Sequence, residues 1–140
     1  MQVLIVDDAS TMRKIVARSL RQAGLRIEVL EAADGLAALR AFDPATCDLV
    51  LADQNMPEMN GLELVRNLRR LERENPGGRH VPVIMVTTEG GSERAREALD
   101  VGVDAFMTKP FTPQQLGATV REVMRLLGRD VDEATEGGSS

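Results

Sequence analysis

The sequence predicts an α/β domain in which five helices cover both faces of a five-stranded parallel, doubly wound sheet. Two observations lead there. Five short β-like runs alternate with five helical patterns, and three of the runs are almost continuously apolar, as strands covered on both faces must be. The length of 140 residues suits one such domain better than two. The runs are Gln2–Val6, Arg26–Leu30, Asp48–Ala52, Val81–Val86 and Asp104–Met107. The first, third and fourth are the apolar ones. Arg26–Leu30 alternates polar with apolar and Asp104–Met107 is short, so both are expected at sheet edges. After the first run, Met12, Ile15, Val16, Leu20 and Ala23 share one helical face, and Gly24 offers a C-terminal stop. Leu64, Val65, Leu68 and Leu71 mark the third helix, which the Asn75–Gly78 stretch ends. Leu116, Val120, Val123 and Leu127 mark the last. The β–α alternation implies right-handed crossovers. At Leu127 the periodicity stops, so the domain is expected over 1–127 and a disordered acidic tail over 128–140.

Composition narrows the function. A net charge of −5 argues against binding to nucleic acid or to an anionic membrane surface, both of which need clustered Lys and Arg. One cysteine, Cys47, excludes a disulfide framework, and with a single histidine, His80, it cannot build a zinc site. His80 reads as a solvated loop residue, and Cys47 as a small apolar filler. No apolar run approaches the ~20 residues of a membrane span, and no basic-then-apolar leader is expected from the opening residues. A small cytoplasmic protein is the expectation.

In open α/β sheets, ligands bind outside the carboxyl ends of the strands. There the sequence places Asp7 and Asp8 after the first run, Asp53 after the third, Thr87 and Thr88 after the fourth, and Lys109–Pro110 after the fifth. Three converging carboxylates repel one another unless a cation joins them. With oxygen ligands alone that cation is hard, and Mg²⁺ fits best. A carboxylate can itself accept a phosphoryl group as an acyl phosphate. Asp53, alone at the end of a central strand, suits that role, with Asp7 and Asp8 on the metal and Lys109 and Thr87 on the phosphoryl oxygens. No GxxxxGK[ST] run is present, so the phosphoryl source is not a nucleotide held in a P-loop. Taken singly, each residue also has a structural reading. Asp7 or Asp8 could cap a helix in competition with Ser10 and Thr11, Lys109–Pro110 could be a turn, and Met56 and Met59 read as loop packing.

Four segments in order carry a resemblance: Val6–Arg13 (VDDASTMR), Asp53–Leu64 (DQNMPEMNGLEL), Met85–Glu89 (MVTTE) and Lys109–Pro113 (KPFTP). The chain resembles the receiver domain of two-component response regulators, and within that family the single-domain, CheY-like chemotaxis type, over Gln2 to Leu127. The resemblance implies the flavodoxin-like strand order 2-1-3-4-5 and a cis Lys109–Pro110 peptide. It implies Asp53 as phosphoacceptor, with Mg²⁺ held by Asp8, Asp53 and the backbone carbonyl of Asn55, and Asp7 acting through water. Thr87 becomes the switch hydroxyl, Lys109 its cationic partner and Phe106 the switch aromatic, while Asn55 and Glu89 tune dephosphorylation and match the fast-turnover pattern.

The sequence departs from that pattern at four places. Phe106 stands where Tyr is usual, Gln54 where Trp is frequent, Thr88 where a smaller residue is usual, and Asn60 where an acidic residue is common. The implied partners are a sensor histidine kinase as phospho-His donor, a protein target on the face of the fourth helix, fifth strand and fifth helix, and a phosphatase. A monomer that is not itself an enzyme on an external substrate is expected. A phosphate sink or relay intermediate has the same chemistry without an effector. A Mg²⁺-dependent aspartyl phosphohydrolase is the more distant alternative. It would pair the nucleophile with a second Asp two residues on, where this chain has Asn55.

Overall fold

A computed structural model describes residues 1–134. The elements run β1 (Gln2–Val6), α1 (Ser10–Gln22), β2 (Glu28–Ala32), α2 (Gly35–Ala41), β3 (Leu49–Ala52), α3 (Gly61–Glu74), β4 (Val83–Thr87), α4 (Ser92–Asp100), β5 (Ala105–Thr108) and α5 (Pro113–Leu126). The sheet is wholly parallel in the order β2-β1-β3-β4-β5, with the alternating strand at one edge and the short one at the other. Alternate residues of the central strands feed two cores. Leu4, Val6, Val50, Ala52, Val83 and Met85 face α2, α3 and α4. Val3, Ile5, Leu49, Leu51, Ile84 and Val86 face α1 and α5. Burial on both faces explains why these runs carry almost no polar residue. Among the described residues, no helix is long and apolar enough to cross a membrane.

Two element boundaries shift where backbone groups find partners outside the sheet or the neighbouring strand has not yet begun. The second strand begins at Glu28 rather than Arg26, because β1 starts at Gln2 and pairs it with Glu28. The fourth begins at Val83 rather than Val81. Pro82 has no N–H, while the N–H groups of Val81 and Val83 donate to the carboxylates of Glu72 (2.6 Å) and Asp104 (2.8 Å). Ile15 also departs from its expected core place. It is 40% exposed and lines an open apolar groove with Met12, Thr88, Lys109, Pro110 and Phe111.

The disorder expected from Gly128 does not describe residues 128–134. Arg26 N–H donates to Asp132 O (2.8 Å), Ala134 N–H donates to Gly24 O (2.7 Å), and Leu25 and Glu133 form an antiparallel bridge. Arg121 grips both carboxylate oxygens of Glu133, and Val131 packs on the α1–α5 core. The segment reads as unstructured in sequence because its backbone partners, Gly24 to Arg26, lie at the other end of the chain. The rest of the expected tail, 135–140, lies outside the described residues.

At the amino ends of β4 and β5, Arg69 of α3 is buried in a polar cluster. Its Nη1 donates to both oxygens of Glu72 and to Val81 O, all at 2.8 Å. Its Nε and Nη2 reach Gly102 O, and Nη2 also reaches Asp104 Oδ2 at 2.9 Å. His80, expected to be solvated, places Nε2 2.7 Å from Asp104 Oδ1 while staying half exposed. One guanidinium thus ties α3 to the loops that start two strands. Arg69→Met would strip the guanidinium from two largely buried carboxylates, leaving Glu72 the Val81 N–H and Asp104 the Val83 N–H and His80, and an unfolding-stability loss approaching about 3 kcal/mol is expected in urea titrations followed by circular dichroism.

Candidate functional site

The sheet reverses its winding between β1 and β3, which opens a crevice at their carboxyl ends. Asp7 and Asp8 follow β1, and Asp53 follows β3. Asp7 is buried, and both of its oxygens are engaged. Oδ1 accepts the Ala9 N–H (2.9 Å) and Oδ2 accepts Lys109 Nζ (3.0 Å). The helix-cap alternative for the acidic pair is not realised, since α1 is capped by Ala9 with no side-chain hydrogen bond. Arg13, which the sequence reading did not single out, holds the turn by donating to Asp7 O (2.7 Å) and to Glu31 (2.8 Å).

Asp53 sits beside this pair with its side chain 12% exposed and its Oδ2 3.8 Å from Lys109 Nζ. Burial pushes its carboxyl above the ordinary carboxylate range. The Lys109 ammonium opposes the rise, Asp7 adds to it, and the backbone N–H groups of Asn55 and Gln54 oppose it. Oxygens of Asp7, Asp8 and Asp53 lie within 4.8 Å of one another, with Asp8 exposed to solvent. One ammonium cannot balance three carboxylates. The donor set consists of oxygen alone and has an open side, which fits a hard divalent cation such as Mg²⁺.

The loop after Asp53 is drawn tight by Gly61. A Cβ there would come within 2.6 Å of Asp53 O and 2.9 Å of both Gln54 Cα and Met85 Cε, so only glycine lets α3 start against the strand end. Asn60 caps α3 in a reciprocal box with Glu63, which gives the residue at this departure position a structural duty that the sequence reading did not assign. Glu58 turns the loop with a left-handed φ of 69°. Met56 is buried, and Met59 packs against Gly35, in line with loop packing. Gln54 accepts the Leu62 N–H through Oε1 at 3.1 Å.

On the other side stand β4 and β5. Thr87 is fully buried as the last residue of β4, and its Oγ1 accepts the Glu89 N–H at 3.3 Å. Lys109 N–H donates to Thr87 O (2.8 Å), and the Lys109–Pro110 peptide is cis. Thr88 is exposed at the rim. Asn55 Nδ2 donates to Glu89 Oε1 (2.8 Å), and Glu89 Oε2 pairs with Arg94 Nη2 (2.8 Å), so a polar chain spans the gap from the β3–α3 loop to α4. Arg94 was not legible as part of the site, because only the fold brings the first turn of α4 to Glu89. Phe106 is partly buried against the α2–α4 core and lines a small cavity with Gln54, Leu62, Met85, Glu89, Arg94 and Glu97.

Residues 3–121 match the family model described as the response regulator receiver domain. The chain is a member of the response regulator receiver family. It is 42% identical to the chemotaxis protein CheY1 of Helicobacter pylori over 125 residues, covering 89% of this chain and 97% of that protein. It is 43% identical to the chemotaxis protein CheY-3 of Vibrio cholerae over 122 residues, 87% of each. Among solved structures, the Vibrio cholerae chemotaxis protein CheY4 superposes with a TM-score of 0.75 at 37% identity, covering 87% of this chain and 97% of that one. A receiver domain protein from Clostridium thermocellum gives 0.77 at 26% identity, covering 91% and 96%. In this receiver the acidic crevice of Asp7, Asp8 and Asp53 lies at the family's characteristic strand ends.

The raised Asp53 carboxyl makes a signed prediction. Its ionised form is disfavoured by the fold, so the cost is absent below the ordinary carboxylate range, grows as pH rises to the elevated folded value, and persists above it. In metal-free buffer Asp53→Asn is therefore expected to raise the melting temperature at pH 7. That gain should vanish as the pH falls below the ordinary carboxylate range in a series of calorimetric scans.

Proposed function

We propose that the chain is a phosphorelay switch that accepts a phosphoryl group on Asp53 from a phospho-His of a sensor histidine kinase and later releases it as phosphate. The observation that carries this reading is the grouping of one partly buried ammonium and three carboxylates around a single crevice. In the forward step an Asp53 carboxylate oxygen bonds to phosphorus. The P–N bond to the donor imidazole breaks, and the imidazole nitrogen takes up a proton. Lys109, already within 3.8 Å of Asp53, would offset charge on the transferred oxygens, and the Thr87 hydroxyl would donate to one of them once it turns toward the crevice. Asp7, Asp8, Asp53 and the Asn55 carbonyl are the residues that would hold Mg²⁺, which when bound neutralises part of the phosphoryl charge. In release Asp53 becomes the leaving group. A water oxygen bonds to phosphorus, the phosphorus–acyl oxygen bond breaks with its electron pair restoring the carboxylate, and the water protons leave with the phosphate or to solvent.

The added charge is proposed to draw Thr87 inward and to move Phe106, reshaping the face of α4, β5 and α5 for a protein target. Phe106 keeps the bulk needed for such a rotation but offers the target no phenolic hydroxyl. The likeness to chemotaxis proteins supports a chemotaxis or motility role, and a cytoplasmic monomer working through protein contacts is the setting proposed with it. Asn55 and Glu89 support a fast-turnover acyl phosphate.

Intact-mass measurement with Mg²⁺ and acetyl phosphate tests the reading. A single phosphoryl adduct is expected that requires Mg²⁺, is absent in Asp53→Asn, and decays well within hours once the donor is removed. An adduct that survives in Asp53→Asn would move the acceptor elsewhere. Thr88, at the rim beside Lys109, narrows the approach of small donors. Thr88→Ala is expected to raise the phosphorylation rate with acetyl phosphate several-fold in the same assay.

A further inference from the structure

The polar chain that leaves the crevice has more in it than the motif residues. Glu89 offers two carboxylate oxygens, and each has one partner. Oε1 accepts from Asn55 Nδ2 and Oε2 pairs with Arg94 Nη2, both at 2.8 Å. An ionised carboxylate only accepts, so Asn55 must turn its nitrogen toward Glu89. The amide oxygen is then the end left for a donor such as water. Asn55 stands two residues beyond Asp53, and Glu89 two beyond Thr87, in the loops that follow the neighbouring strands β3 and β4. The amide therefore lies at the rim of the gap where a phosphoryl group between Asp53 and Thr87 would be attacked. Glu89 sits on the short connection Thr88–Gly91 between β4 and α4, and Gly91 adopts a φ of 123°. Arg94, in the first turn of α4, gives that carboxylate a fixed partner on a regular element, and its positive charge offsets an anion that would otherwise repel a phosphorylated Asp53.

We propose that Arg94 is a positioning residue for hydrolysis of the Asp53 acyl phosphate. Its guanidinium holds Glu89, Glu89 sets the orientation of the Asn55 amide, and the amide oxygen accepts a hydrogen bond from the attacking water. The water oxygen bonds to phosphorus, the phosphorus–acyl oxygen bond breaks with its electron pair returning to Asp53, and the water proton leaves with the phosphate or to solvent. The proposal rests on Asp53 as phosphoacceptor. Its size is bounded by the exposure of the pair, with side chains 50% and 46% accessible. Such pairs contribute little in water, which corresponds to roughly a two- to fivefold change in rate.

The test uses the whole chain loaded with acetyl phosphate and Mg²⁺, freed of donor, and followed by intact mass. Arg94→Ala is expected to slow loss of the phosphoryl group roughly two- to fivefold. Arg94→Lys should recover part of that loss by restoring the charge. In a Glu89→Ala background Arg94→Ala should add nothing further, a non-additivity that a merely structural role would not produce. Raising salt should slow the wild type toward the Arg94→Ala rate and leave that variant unchanged. Circular dichroism at the assay temperature shows that each variant is folded. An unchanged or faster decay in Arg94→Ala, or an equal slowing in the Glu89→Ala background, overturns the role of Arg94 while leaving Asp53 as acceptor. A wild-type chain that takes no adduct overturns the acceptor reading, and the role of Arg94 falls with it.

Discussion

Unbalanced charge at the carboxyl ends of β1 and β3 is the constraint on which the rest depends. Three carboxylates are brought together with one ammonium between two of them, an arrangement that isolated side chains in water would relax by moving apart. They cannot do so here because β1, β3 and β4 are packed on both faces and hold the strand ends rigidly. Gly61 prevents retreat in another direction, since α3 begins in contact with the backbone of Asp53. The repulsion that remains is what makes the crevice receptive to a divalent cation.

The two ends of the sheet divide the work. At the amino ends of β4 and β5, Arg69 matches its carboxylates and carbonyls so that each donor has a partner, and that end locks the helix to the strands. At the carboxyl ends, charge is deliberately incomplete and the connections are short loops. A rigid base with a reactive rim is how a parallel α/β sheet keeps a site geometrically defined while leaving it chemically unsatisfied.

The β4–α4 connection is where the site meets the rest of the surface. Glu89 is bonded to the β3–α3 loop on one side and to α4 on the other, and Phe106 shares a cavity with Glu89, Arg94 and Glu97. A displacement of Thr87 toward the crevice would therefore act on residues that already touch both the rim and the outer face. On the proposed reading, that contiguity, rather than any single long-range contact, would couple charge at Asp53 to the shape of the surface that a target would meet.

The sequence by itself determined the sheet class, the edge positions of β2 and β5, and the gathering of Asp7, Asp8, Asp53, Thr87 and Lys109 at one rim. It could do so because burial on two faces leaves an apolar run that anyone can read, and because the residue after such a run has only one end of the sheet to occupy. What only the tertiary structure decided depends on partners distant in the chain. Val81 lies outside β4 because its N–H goes to Glu72, and Ile15 sits in an open groove although its helical period matches the core. Residues 128–134 are ordered by Arg121, Arg26 and Gly24. Arg94 meets the site where the turn into α4 brings it to Glu89 and, across the fold, to the cavity lined by Gln54 and Phe106. Periodicity records which face a residue shares with its neighbours, whereas a hydrogen bond or ion pair across the fold leaves no periodic trace, and such pairings became visible only once the strands were set side by side.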